Sequence, residues 1–222
     1  MMAVTVVRAE TITVPLDRTN GWLFLKYGKV PPNTFRATSA GFEIGVTNSA
    51  TPALFALTNG WRITELRAYG KISGTLRIPT GKQGEKAFDD YAIRVGIVEP
   101  GTRTMNWREK LISPDWVKRL FALAPPGTGI TKVRFFNIAT DTTHLGRTRA
   151  HPKSDLMEET ISGVPDANGN FTIVNHFAKP IGALAVWVSS DGDHSKSSFA
   201  VTLEKVELSV EETPASPGAG GQ

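Results

Sequence analysis

Acidic side chains occur in two short clusters, and each cluster lies at the end of a predicted strand. Asp89 and Asp90 precede one strand, and Arg94 follows within it. Arg94 faces the same side of an extended chain as Asp90, because side chains alternate along a strand. Adjacent carboxylates repel one another unless a cation or hydrogen-bond donors offset their charge. We therefore interpret Asp89, Asp90 and Arg94 as candidate ligand-binding residues.

The second cluster follows the predicted strand that contains Trp187. Asp191, Asp193 and His194 lie in the polar segment 189–195, which offers several oxygens within one tight turn. Such a turn suits calcium, and Asp191 and Asp193 are the candidate calcium ligands, although the spacing differs from that of an EF-hand loop. A polar turn closed by an Asx hydrogen bond explains the same residues. We add His194 to the ligand-binding candidates and expect no other cofactor.

The chain has five tryptophans, and their settings differ. Trp107 lies in the polar segment 106–109, so we predict an exposed ring that can stack on a sugar. Trp22, Trp61 and Trp187 lie in apolar strands and are predicted core residues. Trp107 is therefore the aromatic candidate for the ligand site.

Several catalytic classes lack their residues in this chain. It has no cysteine, which excludes disulfides, thiolate nucleophiles and cysteine-ligated metals. The segment 74–82 ends in Gly-Lys but has the wrong spacing for a phosphate-binding loop, and no Gly-x-Ser-x-Gly is present. His144 and His151 lie near acidic residues in the polar segment 139–156. We interpret that segment as a long solvated loop, with a metal or acid–base site as the weaker alternative.

Alternation of apolar and polar residues with a period of two dominates the chain. It is clear in segments 42–46 and 91–97, whereas both faces of segment 183–188 are apolar, which favours a central strand covered on both sides. The apolar phase reverses near Glu204 and Lys205, which predicts a β-bulge. Many short strands separated by turns predict an all-β fold, a two-sheet antiparallel β-sandwich of the jelly-roll or lectin type.

One short helix is expected at about 114–124. Ser113 is a suitable N-cap, Pro114 suits the first helical position, and a broad apolar face follows. Turns are predicted at Asn59-Gly60 and at 166–169, the second closing a hairpin with a strand at 171–175. We expect the helix to cover an edge of the sandwich.

Residues 1–210 are predicted to form a single domain, followed by a flexible Pro/Gly-rich tail at 211–222. The start, 1–16, has the pattern of a strand and not of a signal peptide. No apolar stretch reaches the roughly 18 residues of a membrane span.

The charge of the chain is uneven. Residues 1–150 hold 21 Lys and Arg against 11 Asp and Glu, whereas residues 151–222 hold 4 Lys and Arg against 10 Asp and Glu. Without a basic–aromatic stripe, we do not expect nucleic acid as a partner.

Taken in order, several segments resemble a family of exported bacterial proteins of unknown function with a jelly-roll-like β-sandwich. The segments that carry the resemblance are 42–54, 88–98, 115–124, 151–155 and 185–193. The family's last motif has an aspartate where His194 stands here. The resemblance implies the fold and a periplasmic or extracellular location, and it implies no activity.

Three hypotheses for the function remain open at this point. The first is a non-catalytic domain that binds a saccharide or a similar polar ligand. The second is a structural subunit of a homo- or hetero-oligomeric assembly, on a cell surface or in a virion-like particle, which self-associates or binds a protein partner through the tail and the helix at 114–124. The third is a carbohydrate-active hydrolase or lyase that uses two carboxylates. The sequence favours the first and does not favour an enzyme.

Overall fold

Two β-sheets pack face to face in the computed structural model, which describes residues 9–57, 61–85, 87–152 and 154–211. The strands are β1 (Ala9–Thr13), β2 (Trp22–Phe24), β3 (Thr34–Thr38), β4 (Gly41–Thr47), β5 (Ala50–Ala56), β6 (Arg62–Thr75), β7 (Ile93–Gly101), β8 (Gly129–Ile138), β9 (Thr148–His151), β10 (Ser154–Gly163), β11 (Asn170–Gly182), β12 (Ala185–Asp191) and β13 (Ser198–Glu211). Two short helices, α1 (Trp107–Ile112) and α2 (Asp115–Phe121), lie between β7 and β8. The predicted two-sheet β-sandwich is confirmed.

The six-stranded sheet is organised around β13. Its strand order is β11-β6-β13-β4-β3, and β1 also pairs with β13. The register of β13 against β6 shifts between Leu203 and Lys205, where the pairing with β4 ends. This shift is the predicted bulge, and it brings both Leu203 and Val206 into the core.

The seven-stranded sheet has the order β2-β5-β12-β7-β8-β10-β9. All seven residues of β12 are buried, which confirms the prediction of a central strand covered on both sides. Strands β8 and β10 run parallel, whereas every other strand pair in the described part of the chain is antiparallel. The expected all-antiparallel pairing therefore holds with this one exception.

Two apolar layers lie on opposite faces of the seven-stranded sheet. The inner layer fills the space between the sheets and includes Val186 and Val188 of β12. The outer layer includes Ala185 and Trp187 of the same strand, and partly buried residues of α2 pack on it. The alternation of β12 therefore directs its side chains into two separate cores, and the outer one lies beside the candidate site.

The helix expected at about 114–124 is present as α2, and a second helix that was not predicted, α1, precedes it. Asn106 and Glu109 form a capping box that starts α1, a signal that the sequence carries as Asn-x-x-Glu. Ser113 is the C-cap of α1 and not the N-cap of the next helix, whose N-cap is Pro114. Proline has no N–H to continue the helical hydrogen bonds of α1, so the chain starts a new helix there. Neither helix in the described ranges is long and apolar enough to cross a membrane.

Other local predictions need correction. The segment 139–156, expected to be a long loop, contains β9 and the start of β10. The turn at 166–169 closes no hairpin between β10 and β11, because these strands lie in different sheets and β11 pairs with β6. The predicted turn at Asn59-Gly60, the expected strand residues before position 9 and the tail from 212 onward lie outside the described residues.

Candidate functional site

The floor of the candidate site is a row of side chains across the outer face of the seven-stranded sheet. Trp187 of β12 lies opposite Gly96 of β7, and Gly96 lies opposite Phe135 of β8. A Cβ atom at Gly96 would lie 2.7 Å from Cδ1 of Phe135, so only glycine leaves room for that ring. Trp187 and Phe135 meet edge to face, with centroids 5.3 Å apart.

A buried guanidinium lies one row further along β7. Arg94 Nη2 donates to the Asp89 backbone oxygen at 2.7 Å, and Nε lies 3.5 Å from Glu159 Oε1. Nη1 pairs with Asp191 Oδ2, and the guanidinium carbon lies 4.5 Å from the centroid of the Tyr91 ring. Burial lowers the pKa of Arg94, but Glu159 and Asp89 outweigh this effect and hold it above its usual value. Arg94 therefore stays charged.

A second guanidinium, that of Arg149 on β9, completes this ionic network. Its Nη2 lies 2.6 Å from Glu159 Oε2 and 3.1 Å from Asp89 Oδ1, and its Nη1 donates to the Gly84 backbone oxygen. Two guanidinium groups thus face three carboxylates, those of Asp89, Glu159 and Asp191. Such pairing is what allows charged groups to be buried.

Asp89 also contacts a histidine. His151 Nε2 lies 3.1 Å from Asp89 Oδ2. Burial raises the pKa of Asp89, but the hydrogen bond from His151 and the charges of Arg94 and Arg149 outweigh it, so the pKa lies below its usual value. Asp89 is therefore a carboxylate at neutral pH and not a proton donor.

Asp90 points into a different cluster, with Asp193 and His194. Its Oδ1 lies 3.2 Å from His194 Nδ1, and its Oδ2 accepts a hydrogen bond from the Ser195 backbone N–H at 2.7 Å. The ligand atoms of Asp90, Asp193 and His194 all lie within 4.8 Å of one another. Within the described ranges, no lysine or arginine forms an ion pair with Asp90 or Asp193. In the described part of the chain, these two carboxylates thus have no counterpart to the guanidinium groups that Arg94 and Arg149 supply to the first network.

Most of these groups, but not Arg149 and Glu159, line one cavity of about 360 Å³. The lining residues are Tyr27, Val30, Ala50, Asp89, Asp90, Arg94, Trp116, Phe135, His151, Ser154, Met157, Trp187, Ser189, Asp191, Asp193 and His194. Six of the seven residues predicted from the sequence are among them. The structure therefore brings together two clusters that are about 100 positions apart in the chain.

Trp107 is the predicted site residue that does not line the cavity. It is exposed at the start of α1, as predicted, and the Arg108 guanidinium stacks over its ring at 5.2 Å. Trp116 of α2 lines the cavity, where Trp107 was expected to. The Trp116 ring meets the rings of Trp187 and Tyr27 edge to face, with centroids 6.5 Å and 5.4 Å apart. In the sequence, Trp116 is part of the apolar face of the helix predicted at about 114–124. A ring on such a face gives no signal for a ligand site, so Trp116 was not predicted to line one.

Two polar atoms of cavity-lining residues are buried without a hydrogen-bond partner among the described residues. They are the indole N–H of Trp187 and Oδ1 of Asp191. Buried donors and acceptors in proteins are almost always paired, and an unpaired one costs about 1–3 kcal/mol. One donor and one acceptor on residues that line the cavity thus lack a hydrogen-bond partner among the described residues.

The predicted calcium ligands separate in the structure. Asp191 pairs through Oδ2 with Arg94, whereas Asp193 groups with Asp90 and His194. Of the predicted pair, Asp193 is the carboxylate that stays available to a cation.

Comparison with known proteins supports no inference about this chain beyond what its own structure shows. No family model and no curated protein matches the chain, so the family resemblance stays a prediction. Among solved structures, a xylan-binding module is similar over 91% of this chain and 97% of its own, with a TM-score of 0.38 and 11% sequence identity. The identity is too low, and the superposition too loose, to support an inference about the site.

Proposed function

We propose that this chain is a non-catalytic module that binds a saccharide in the cavity lined by Trp187, Asp191 and Trp116. The observation that carries the proposal concerns two buried polar atoms that have no hydrogen-bond partner among the described residues, the indole N–H of Trp187 and Oδ1 of Asp191. A cavity of about 360 Å³ lies within the range of roughly 300–1,000 Å³ for small-molecule sites. The expected location of such a module, periplasmic or extracellular, stays part of the proposal.

A saccharide fits this lining because it has two kinds of surface. Its hydroxyl groups both donate and accept hydrogen bonds, and the cavity supplies a donor at Trp187 and acceptors at Asp191 and Asp193. Its C–H faces pack on aromatic rings, and Tyr27 and Trp116 supply such rings. Arg94 holds Asp191 in place before any ligand arrives, which reduces the entropy lost on binding.

Binding is favoured over the hydrolase or lyase hypothesis by the state of two of the four aspartates that line the cavity, Asp89 and Asp191. Glycoside cleavage by a carboxylate pair needs one member protonated as a general acid. The pKa of Asp89 is lowered, mainly by His151 and Arg94 acting against burial, so Asp89 cannot fill that role near neutral pH. Asp191 is paired with Arg94 and is not free to act on a substrate.

The test is a screen of polysaccharides and oligosaccharides on a glycan array, followed by calorimetric titration of the best ligand in the presence of a chelator. Trp187→Phe removes the indole N–H and keeps an aromatic ring. We expect the affinity to fall by up to about tenfold, since one hydrogen bond contributes about 1.4 kcal/mol or less.

Trp22→Phe is the matched control. Trp22 is also buried, but its indole N–H donates to the Pro15 backbone oxygen at 3.0 Å and it does not line the cavity. Its variant should lose stability and keep the affinity. Absence of binding to every saccharide, or equal affinity losses in the two variants, would contradict the proposal.

A second candidate function, a subunit that associates with copies of itself, is favoured by the exposed face of α1. Trp107, Leu111 and Ile112 are 67%, 70% and 83% exposed. Three large apolar side chains within six residues form a patch of the kind that marks interaction surfaces. We name these three residues the α1 apolar face.

Sedimentation velocity over a wide concentration range tests this candidate. If the α1 apolar face joins copies, the wild type should form oligomers at high concentration, and Leu111→Lys with Ile112→Lys should be monomeric. Leu145→Lys with Val174→Lys is the control, because it places the same charges on two other exposed apolar residues. A wild-type protein that stays monomeric at all concentrations would contradict this second candidate function.

A further inference from the structure

We propose that Asp90, Asp193 and His194 bind one divalent transition-metal ion of the zinc type at the wall of the cavity. Each residue offers one ligand atom, and these atoms lie within 4.8 Å of one another. Ligands that share a metal ion at roughly 2.0–2.2 Å lie no more than about 4.4 Å apart. The three side chains would therefore need only small adjustments to close around one ion. The three residues come from the segment before β7 and the turn after β12, two segments that meet only in the folded sandwich.

The charge balance of the cavity supports a cation at this point. Asp90 is fully buried, and its negative charge lies close to that of Asp193. Two neighbouring carboxylates repel one another unless a positive charge lies between them. The described residues supply no arginine or lysine ion pair to either carboxylate.

A neighbouring cluster shows how the chain neutralises carboxylates when it does not need a metal. Asp89, His151 and Glu159 also have ligand atoms within 4.8 Å of one another. There, however, Arg149 lies 3.1 Å from Asp89 and 2.6 Å from Glu159, so a guanidinium already supplies the positive charge. A metal ion in that cluster would be repelled, which leaves the Asp90 cluster as the metal site.

A second feature points to a ligand at the same wall. The Asp191 side chain is only 9% exposed, and its Oδ1 has no hydrogen-bond partner among the described residues. Asp191 lines the cavity together with all three proposed ligands. A water molecule on a metal ion is a good hydrogen-bond donor, because the ion lowers its pKa. Asp191 Oδ1 is an acceptor on a residue that lines the same cavity.

The donor set indicates the class of metal. Calcium takes six to eight oxygen ligands, whereas two carboxylate oxygens and one imidazole nitrogen suit zinc and related ions. The calcium prediction named Asp191 and Asp193 as the metal ligands. The present assignment retains Asp193, replaces Asp191 by Asp90, and adds His194 as a third metal ligand.

Calorimetric titration of the untagged, chelator-treated full chain with zinc chloride tests the assignment, with calcium chloride as the comparison. We expect one zinc site per chain and weaker calcium binding. Asp193→Asn and His194→Gln should each weaken zinc binding by more than about tenfold. Both residues are partly exposed, so these variants should fold, which circular dichroism checks.

Asp17→Asn and His176→Gln are the matched controls. Asp17 is exposed, and His176 is an exposed histidine that pairs with Glu65 at 2.7 Å, away from the cavity. Both controls should bind zinc as the wild type does. No zinc binding, zinc binding unchanged in both site variants, or calcium binding at least as tight as zinc would each overturn the proposal. The titration contains no saccharide, so its result is independent of the proposed function.

Discussion

At the scale of single residues, the cavity depends on how buried charges are balanced. Arg94 contacts Asp89, Glu159 and Asp191, and its side chain is only 8% exposed. Removing one partner of a buried ionic network leaves the others uncompensated in a medium of low polarity, which costs more than the pairing contributed. The strength of this network is therefore best measured by removing its central cation.

Arg94→Met should lower the free energy of unfolding by about 3–5 kcal/mol. Asp191 would then have no ion-pair partner among the described residues, and Asp89 and Glu159 would share the Arg149 guanidinium. Urea denaturation measures this loss. Arg36→Met is the control, since Arg36 is 71% exposed and pairs with Glu43 at 2.7 Å. An exposed pair contributes less than about 1 kcal/mol. Similar losses of unfolding free energy in the two variants would show that the buried network stabilises the fold no more than an exposed ion pair does.

The lowered pKa of Asp89 predicts the direction of a pH effect. Because the folded state holds this pKa below its ordinary value of 3.8, mainly through His151 and Arg94 acting against burial, folding favours the ionised carboxylate. The resulting stability is complete above that ordinary value and is lost as the pH falls through the lower, folded-state value.

Asp89→Asn should therefore make the free energy of unfolding depend less on pH in acid. We expect the wild type to exceed the variant in stability at pH 7, and the difference to shrink towards about pH 3, as measured by urea denaturation. Asp17→Asn, at an exposed position, should follow the wild type. A difference that stays constant or grows in acid would contradict the assigned ionic role of Asp89.

At the scale of elements, the central strands β12, β7 and β8 build the floor of the cavity. Their register places Trp187, Gly96 and Phe135 in one row, and the next row along places Ser189 opposite Arg94. Paired side chains across neighbouring strands are the unit of such a surface. At Gly96, the absence of a side chain leaves the space that the neighbouring Phe135 ring occupies.

Gly96→Ala should destabilise the sandwich by about 1–3 kcal/mol, because the new Cβ would lie 2.7 Å from the Phe135 ring and from the Arg134 backbone oxygen. Gly163→Ala in β10 is a milder control, since its Cβ would meet its nearest atom, Ile138 Cδ1, at 3.2 Å. Thermal unfolding compares the two variants. An equal effect would mean that the Phe135 ring moves aside without cost.

At the scale of the whole molecule, the two parts of the sequence interleave. β12 lies between β5 and β7, and β13 lies between β6 and β4, so late strands complete sheets that early strands begin. The uneven charge of the sequence follows the same pattern. Arg134 pairs with Glu158, Arg103 with Asp155 and Arg94 with Asp191, each joining the basic first part to the acidic second part.

This interleaving predicts that fragments 1–145 and 146–222 do not fold separately. Each fragment would expose strand edges and apolar faces that only the other fragment covers. Near-ultraviolet circular dichroism should show fixed aromatic packing when the two are mixed and none for either alone. A cooperative unfolding transition in one isolated fragment would contradict the prediction of a single domain.

The sequence alone determined the architecture, because the evidence for a strand is local. Alternation in segments such as 42–46, the apolar run at 183–188 and the phase reversal near Lys205 each depend on a few neighbouring residues. The same local rules failed where two signals competed. Ser113 looked like an N-cap, although the capping box at 106–109 starts an earlier helix that ends there.

The tertiary structure alone decided which residues share the cavity. Asp90 and Asp193 both stood out in the sequence, but their proximity depends on the order and register of β7 and β12 within one sheet. Arg149, Glu159 and Trp116 join the site from positions with no local signal for it. Alternation tells which face of a strand a side chain takes, whereas the neighbour it meets there is set by pairing between strands distant in the chain.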